Sequence, residues 1–441
     1  MNRIALIMDS IRIPAEQSKK HLKWTYDRRI LARFADWFAI AVAVALPWST
    51  TFTYVFLALW IVALAGSWNI AERSREPRIP AGYLPAALWA LGLVGVVWAT
   101  VPLPERLAGL NSFHKLLAIP FFAIQFRDSH RGLWVLIAFL ISCTVMLVVS
   151  WGLILLPDIP WRGRQRFGQS WVTTGIPVKD YNSQSTMFTL CILGLAEGAL
   201  FAWRKGRRYL TLGLVLLAIL FFANILYAAT SRTALVALSL LLVLFAFMRL
   251  GRKSAAGLML ALAVVLAITW WTSPQLRERV TGTFDEVLNY QPNSANFTST
   301  GGRLEFWRRS VTIIAAKPLF GHGTGSIREQ FHQTAVGQTG MAALETANPH
   351  NQILATAIQL GLFGTVVLLA MWIAQLLFFV TPGLPAGIGF AVVVQNIISS
   401  QFNSSLFDFT HGWVYVVGTG VLSGMVLRDG LNDKASPVPT D

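Results

Sequence analysis

The apolar run Leu210–Tyr227, LTLGLVLLAILFFANILY, decides the fold class of this chain. It carries no charged side chain, and it does not alternate between apolar and polar residues as a strand of a transmembrane barrel does. Lipid offers no hydrogen-bond partner to a backbone, so such a run must form a helix. About 20 apolar residues cross a bilayer core of roughly 30 Å. The run therefore predicts a transmembrane helix.

The rest of the chain has the same character. Only 13% of the 441 residues are charged and 54% are hydrophobic, whereas soluble domains carry about 25% charged residues. We predict an all-α polytopic membrane protein of about 12 transmembrane helices. We expect Gly361 and Gly364 to separate a turn from the span proper in the long tenth stretch. The predicted spans are 34–49, 52–70, 82–100, 111–126, 132–156, 181–203, 209–228, 232–249, 254–272, 351–380, 384–400 and 411–427.

Basic residues predict the orientation in the membrane. They cluster in the N-terminal tail and in alternate loops such as 204–208, RKGRR, and cytoplasmic loops carry such an excess. Most of the net charge of +15 is therefore topological, and we expect no nucleic-acid partner. The predicted organisation is a cytoplasmic tail (1–33), helices 1–9 (34–272), a large extracytoplasmic loop (273–350), helices 10–12 (351–427) and a cytoplasmic tail (428–441).

The extracytoplasmic loop 157–180 is basic, which runs against the topology rule. It contains Arg162, Arg164 and Arg166. An anionic substrate or anionic lipid headgroups would account for this charge, and ordinary loop charges are the alternative.

The loop 273–350 is far longer than a connector needs to be. Ser273-Pro274 reads as the start of one helix, and Leu304, Trp307, Val311 and Ile314 recur at the spacing of a second. We expect two amphipathic helices lying on the membrane surface over the ends of the spans. The glycine-rich turn 317–326 resembles a phosphate-binding nest, although it lacks the lysine of a P-loop.

Ionisable residues inside the spans are candidate functional sites, and Lys115 and Glu197 are the two that we note. Extracytoplasmic aspartates are far apart in the sequence, and both cysteines, Cys143 and Cys191, fall in apolar spans. We therefore predict no metal site and no cofactor.

Three residues stand at predicted helix N-termini on the extracytoplasmic side: Arg232, Arg303 and His350. The N-terminus of a helix attracts anions, so an arginine placed there suits anion binding better than helix stability. A guanidinium matches phosphate oxygens bidentately, and the glycines before Arg303 permit close backbone approach. The alternative is that each arginine is an anchor at the membrane interface.

His350 follows Asn348-Pro349. A histidine at a helix N-terminus near cations has a lowered pKa, so it stays neutral at pH 7 and can accept a proton. A structural role is the alternative for this histidine taken alone.

These motifs resemble those of the O-antigen ligase and polymerase superfamily. The resemblance covers roughly residues 230 to 365, and the predicted topology agrees over the remainder. The matching elements are Ser231-Arg232-Thr233, Gly302-Arg303-Leu304 with Trp307, Lys317-Pro318-Leu319-Phe320-Gly321 with Gly323 and Gly325, Pro349-His350-Asn351-Gln352-Ile353-Leu354, and Gln359-Leu360-Gly361-Leu362-Phe363-Gly364.

The resemblance implies a metal-independent, inverting glycosyltransferase of the bacterial inner membrane, with its active site in the periplasm. The donor would be O-antigen glycan on undecaprenyl pyrophosphate, and the acceptor a sugar hydroxyl of lipid A-core oligosaccharide. His350 would be the general base, and Arg232 and Arg303 would hold the pyrophosphate. The expected substrate-binding residues are Arg162, Arg164, Arg166, Gly302, Trp307 and Asn351.

Other readings remain open. An O-antigen polymerase or a protein O-oligosaccharyltransferase of the same superfamily would use the same chemistry on another acceptor. A transporter or flippase for lipid-linked glycan also suits about twelve helices, but carriers place polar or broken helices near the midplane of the bilayer. A purely structural membrane protein would leave the arginines and His350 unexplained.

Overall fold

The computed structural model describes residues 15–67, 80–156, 166–167, 170–171, 175–229, 231–294 and 297–435. These residues are helical apart from short connections and a hairpin of two-residue strands, β1 (Arg166–Phe167) and β2 (Ser170–Trp171), which pair antiparallel. The predicted all-α membrane fold is therefore confirmed.

The first half of the chain forms helices that run back and forth through one bundle. They are α1 (Ala15–Ala45), α2 (Thr50–Ser67), α3 (Pro80–Trp98), α4 (Leu103–His114), α5 (Ala118–Asp128), α6 (Gly132–Leu155), α7 (Tyr181–Arg204), α8 (Arg208–Tyr227), α9 (Arg232–Arg249) and α10 (Arg252–Thr272).

The second half adds three helices outside the apolar spans and three more apolar helices. They are α11 (Pro274–Leu288), α12 (Ser299–Ala316), α13 (Ile327–Ala335), α14 (Gln352–Phe379), α15 (Leu384–Ser399) and α16 (Phe409–Ala435), with 3₁₀ turns at Lys115–Leu117 and Gly340–Ala343.

The number of spans differs from the prediction of about twelve. Ten helices of the described chain are long and apolar enough to cross a membrane, with α4 and α5 counted together. The other two predicted spans correspond to α15, which has 16 residues, and to the apolar end of α1. Residues 15–33, predicted as part of a tail, belong to α1, because no proline or glycine interrupts the chain between Ala15 and Ala45.

The irregular segment 400–408 connects α15 to α16. Its backbone is satisfied by buried side chains from other helices. Lys115 Nζ donates to the carbonyl oxygens of Phe407 (3.1 Å) and Asp408 (2.6 Å), and Gln352 Oε1 accepts from the N–H of Leu406 at 3.0 Å. Such partners allow non-helical backbone inside a membrane protein. Lys115 therefore has a structural role in holding this segment.

Helix α14 is kinked at Gly361, where the sequence predicts a break. Gly361 has φ 61° and ψ −153°, a conformation that is essentially restricted to glycine. A Cβ here would lie 2.3 Å from the carbonyl oxygen of Leu319. The turn 317–326 packs into the kink, and Leu362 N–H donates to the Pro318 oxygen at 2.8 Å.

The turn 317–326 is held to α14 and α3 by hydrogen bonds, and it is not a phosphate-binding nest. The N–H groups of His322 and Gly323 donate to the carbonyls of Ile358 and Gln359 at 2.8 and 2.9 Å. Thr324 N–H donates to Gly95 O at 3.0 Å, and Gly325 N–H donates to Gln359 Oε1 at 2.8 Å. These four donors are already used by the protein.

The expected helices of the long loop are present as α11 and α12, and α13 is an additional one. Helix α12 buries one face in a small core of its own, apart from the main core of the bundle. This second core consists of Phe306, Ile313, Ile327, Phe331, Ala355 and Ile358. It fixes the beginning of α12 beside the beginning of α14.

Candidate active site

The beginning of α12 is built by caps from two elements. Thr298 is the N-cap, and its Oγ1 accepts from Gly301 N–H at 3.1 Å. Glu286 of α11 accepts from Thr300 N–H at 2.9 Å. The helix thus begins at Ser299, and Arg303 lies in its second turn instead of opening it as expected. Thr298 is not among the helix-start signals identified in the sequence.

Arg303 has no hydrogen bond or ion pair within the part of the chain that the structure describes. Burial lowers the pKa of its guanidinium, and the positive charge of Arg232 acts in the same direction. Tyr181 and Glu286 act in the opposite direction. Arg303 remains protonated, since an arginine does not lose its charge in proteins. It is a half-buried cation whose donors have no hydrogen-bond acceptor among the described residues.

Arg232 is the first residue of α9, as the sequence predicts, and follows the N-cap Ser231. Its Nη1 donates to the hydroxyl of Thr300 at 3.2 Å. No carboxylate of the described residues lies within ion-pair distance of it. The interaction with α12 therefore brings Arg232 to the same helix start as Arg303 without neutralising its charge.

His350 lies directly before the N-cap of α14, which is Asn351. His350 has φ 54°, a left-handed conformation in which histidine is several-fold enriched among non-glycine residues. Its ring stacks on Phe306 of α12 with 6.1 Å between centroids. Burial lowers its pKa, and the charge of Arg303 lowers it further, against the effect of a hydrogen bond with Asn403.

Arg303 therefore lies within electrostatic range of both Arg232 and His350. The residues lie at or near the N-terminal ends of three different helices, and 118 positions separate the first from the last (350 − 232). The structure brings together the three residues that the sequence placed at helix N-termini. Two cations without ion-pair partners in the described chain, beside a neutral imidazole, can bind a multiply charged anion and accept a proton next to it.

The other expected substrate-binding residues differ in whether the protein itself already uses their polar groups or the space beside them. Asn351 Oδ1 accepts from Leu354 N–H at 3.1 Å and its Nδ2 donates to Gln401 O at 3.3 Å, so it is engaged in capping. Trp307 Nε1 is buried and has no hydrogen-bond partner in the described chain. Gly302 is buried, yet an added Cβ would meet only Leu344, at 3.9 Å. Trp307 and Gly302 are thus compatible with a ligand nearby.

The basic loop 157–180 is only partly described. Arg162 and Arg164 lie outside the described residues, and Arg166 is located in β1 with an undescribed side chain. Lys179 donates to Leu46 O (2.6 Å) and Thr410 Oγ1 (3.0 Å). Burial lowers the pKa of Lys179 to about 8. These contacts tie the end of the loop to the bundle.

Sequence reasoning missed two residues of the site. Asn348 and Asn403 both contact His350, at 2.8 Å and 3.2 Å. Asn348 directly precedes the quoted motif that begins at Pro349, and the sequence marked it only as a residue before His350. Asn403 lies in the polar stretch 401–405 (QFNSS) between two apolar spans, and that polar stretch was the available signal.

The site and the rest of the described residues contain no group of three or more His, Cys, Asp or Glu side chains that could hold a metal ion. Glu197, the other ionisable residue noted inside a span, pairs with Arg249 at 2.7 Å. That pair is at the opposite end of α9 from Arg232.

Comparison with known proteins agrees with the resemblance seen in the motifs. Residues 217–369 match the model of a family described as O-antigen ligase, and this segment includes Arg232, Arg303 and His350. An uncharacterized protein of Haemophilus influenzae is 24% identical over 142 residues, which are 32% of this chain and 36% of that relative. The similarity thus spans about a third of that relative's length. Residues 217–369 are thus similar to the O-antigen ligase family.

Proposed function

We propose that this protein is an O-antigen ligase. It transfers O-antigen glycan from undecaprenyl pyrophosphate to a sugar hydroxyl of lipid A-core oligosaccharide. The reaction takes place on the periplasmic face of the bacterial inner membrane, with both termini in the cytoplasm and residues 273–350 in the periplasm. The family match and the apolar helices support this proposal.

The observation that carries the proposal is the pair of arginines without carboxylate partners. Arg232 has only a hydroxyl partner, and Arg303 has none among the described residues. Leaving a half-buried guanidinium without an acceptor costs free energy, about 1–3 kcal/mol or more for a charged group. A pyrophosphate would supply the missing acceptors bidentately.

In the proposed reaction His350 is the general base. It takes the proton of the acceptor hydroxyl as that oxygen attacks the anomeric carbon of the donor. The new glycosidic bond forms on the face opposite the breaking bond to pyrophosphate, so the configuration inverts, and undecaprenyl pyrophosphate leaves. A positioned base contributes about 10²–10⁴-fold to such a step.

Arg232 and Arg303 stabilise the charge that grows on the leaving pyrophosphate. Fixed donors aimed at developing charge contribute about 3–4 kcal/mol each when they are removed by mutation. Trp307 and Gly302 border this site and are proposed to contact the donor glycan. Asn351 is proposed to act by capping α14 directly after His350. Arg162, Arg164 and Arg166 are proposed to contact phosphate groups of donor or acceptor.

Two related activities share this chemistry. An O-antigen polymerase would use a second lipid-linked glycan as the acceptor, and a protein O-oligosaccharyltransferase would use a serine or threonine. The modest length of the 273–350 loop favours the ligase. A flippase is disfavoured because the uncompensated cations gather at one end of the bundle.

The test is a transfer assay with purified protein in detergent. Lipid-linked O-antigen is mixed with rough lipopolysaccharide, with and without EDTA, and capped lipopolysaccharide is measured. We expect transfer in both conditions, and loss of transfer in His350→Ala and Arg303→Ala. Transfer to a second lipid-linked glycan, but not to lipopolysaccharide, would contradict the ligase assignment and indicate a polymerase. Full activity of His350→Ala would refute the proposed base.

A further inference from the structure

Two asparagines enclose His350 and determine which of its ring nitrogens carries a proton. Asn348 precedes it by two residues, and Asn403 comes from the irregular segment 400–408. A neutral imidazole has one N–H donor and one acceptor, and a general base needs the acceptor to face its substrate. The hydrogen bonds around His350 decide between the two forms.

The orientation of the Asn348 amide is fixed by the backbone. The N–H of His350 lies 2.8 Å from Asn348 Oδ1, and a backbone N–H can only donate. The hydroxyl of Ser404 also lies against this oxygen, at 2.7 Å. Asn348 therefore presents its oxygen on this side, and its NH₂ group must point the other way.

That NH₂ group determines the orientation of the second asparagine. Asn348 Nδ2 lies 2.8 Å from the Asn403 side chain, and two NH₂ groups cannot face each other in a hydrogen bond. Asn403 must therefore present its oxygen. The same oxygen lies 3.2 Å from Nδ1 of His350, so Nδ1 must be the nitrogen that carries the hydrogen.

We propose that Asn403, oriented by Asn348, is a positioning residue that holds His350 in the Nδ1–H form and leaves Nε2 as the proton acceptor. No hydrogen bond to Nε2 exists among the residues the structure describes, which leaves this nitrogen open to a substrate hydroxyl. The inference rests on the proposed role of His350 as the base. Asn348 and Asn403 together orient the base, as a further group orients the base in other enzymes.

Other charged groups around His350 also influence its pKa, and they are the same in every variant of the test. Arg303 on α12 is the charged group that acts on it directly. On its own segment Glu345 is bound to His332 at 2.6 Å. On the segment that carries Asn403, Asp408 is bound to His411 at 2.7 Å.

The test measures the pH profile of glycan transfer in purified Asn403 variants. Asn403→Asp keeps an acceptor oxygen for both donors but adds a negative charge, which raises the pKa of His350. Because the base must be neutral, the acid limb of the profile should move to higher pH, by about one pH unit or more. Asn403→Leu removes the acceptor, and transfer should fall by about 10²-fold or more because the imidazole loses its fixed form.

Gln401→Glu is the matched control, since it adds the same charge two positions away on a side chain whose Nε2 donates to Ile397 O. It should move the acid limb less than Asn403→Asp does. Equal shifts in the two variants, or wild-type transfer in Asn403→Leu, would overturn the inference. Wild-type transfer in His350→Ala would instead refute the base itself, so the two failures are distinguishable.

Discussion

The two ends of helix α9 carry the same residue type in opposite circumstances. At its last residue, Arg249 Nε lies 2.7 Å from Glu197 Oε1, and its Nη2 donates to Gly383 O at 2.9 Å. At its first residue, Arg232 has only the hydroxyl of Thr300 as a side-chain partner among the described residues. One end of the helix is closed by an ion pair, and the arginine at the other end has no ion-pair partner in the described chain.

The same contrast recurs within α12. Arg309 is buried and donates to Thr334 Oγ1 at 2.9 Å and to Leu344 O at 2.5 Å, as well as to Phe331 O. Arg303, six residues earlier, has no such acceptor in the described chain. Arg232 and Arg303, which have no ion-pair partner in the described chain, lie at one end of the bundle, beside His350. The partners of an arginine show whether it is structural or a candidate for ligand binding. Its position at the membrane interface does not.

The largest expected effect is on transfer by Arg303→Ala. Removing a donor aimed at the leaving group should lower the rate by about 10²–10³-fold. The thermal unfolding midpoint should change little, because no protein acceptor is lost. Both quantities are measured on purified protein.

Arg309→Met is the matched control on the same helix. Its loss frees the carbonyls of Phe331 and Leu344, so it should lower the unfolding midpoint and reduce transfer only in proportion to folded protein. An Arg303→Ala variant that unfolds as early as Arg309→Met would erase the contrast.

At the closed end of α9, Arg249→Met should act on stability. It leaves the buried carboxylate of Glu197 without its cation, and breaking such a pair costs up to about 3–5 kcal/mol, less where solvent reaches the pair. Thermal unfolding in detergent measures the loss. Glu197→Gln combined with Arg249→Met should recover part of it, and no recovery would mean that the pair is not the cause.

The two glycines before Arg303 offer a finer comparison. A Cβ on Gly301 would lie 2.7 Å from Thr298 Oγ1 and 2.8 Å from Met341 Sδ, so Gly301→Ala should destabilise by about 1–3 kcal/mol. A Cβ on Gly302 has room, so Gly302→Ala should fold normally and lower transfer by crowding the donor. Wild-type transfer by Gly302→Ala would remove Gly302 from the site.

The smallest expected effect is a shift in pH dependence. Burial and Arg303 lower the pKa of His350, so transfer should be constant above pH about 6.5, the ordinary histidine value, and fall as the pH drops through the lowered pKa. Arg303→Gln removes one lowering influence, so its residual transfer should fall at a higher pH. Arg303→Lys keeps the positive charge and should not move the acid limb of the pH profile. A shift in Arg303→Lys would contradict the charge of Arg303 as the cause.

Much of this arrangement could be predicted from local sequence. The apolar runs indicated the spans, and Gly361 indicated the kink. The positions of Arg232 and His350 at the beginnings of helices were also predicted. The contacts that complete the site could not be predicted, because they join distant segments. Asn403 meets His350 across 53 positions, and the acceptors that fill the turn 317–326 come from α14 and from Gly95 on α3. A glycine-rich turn reads the same whether its N–H groups face a phosphate or a neighbouring helix.

The most direct test of the central claim is the binding of undecaprenyl pyrophosphate to purified protein in nanodiscs. Wild type should prefer it to undecaprenol. Arg232→Ala and Arg303→Ala should each weaken binding by about 10–100-fold, the loss of a charged hydrogen bond, while Arg249→Met combined with Glu197→Gln should bind as wild type does. Wild-type affinity for undecaprenyl pyrophosphate in the Arg232→Ala, Arg303→Ala double variant would contradict the account.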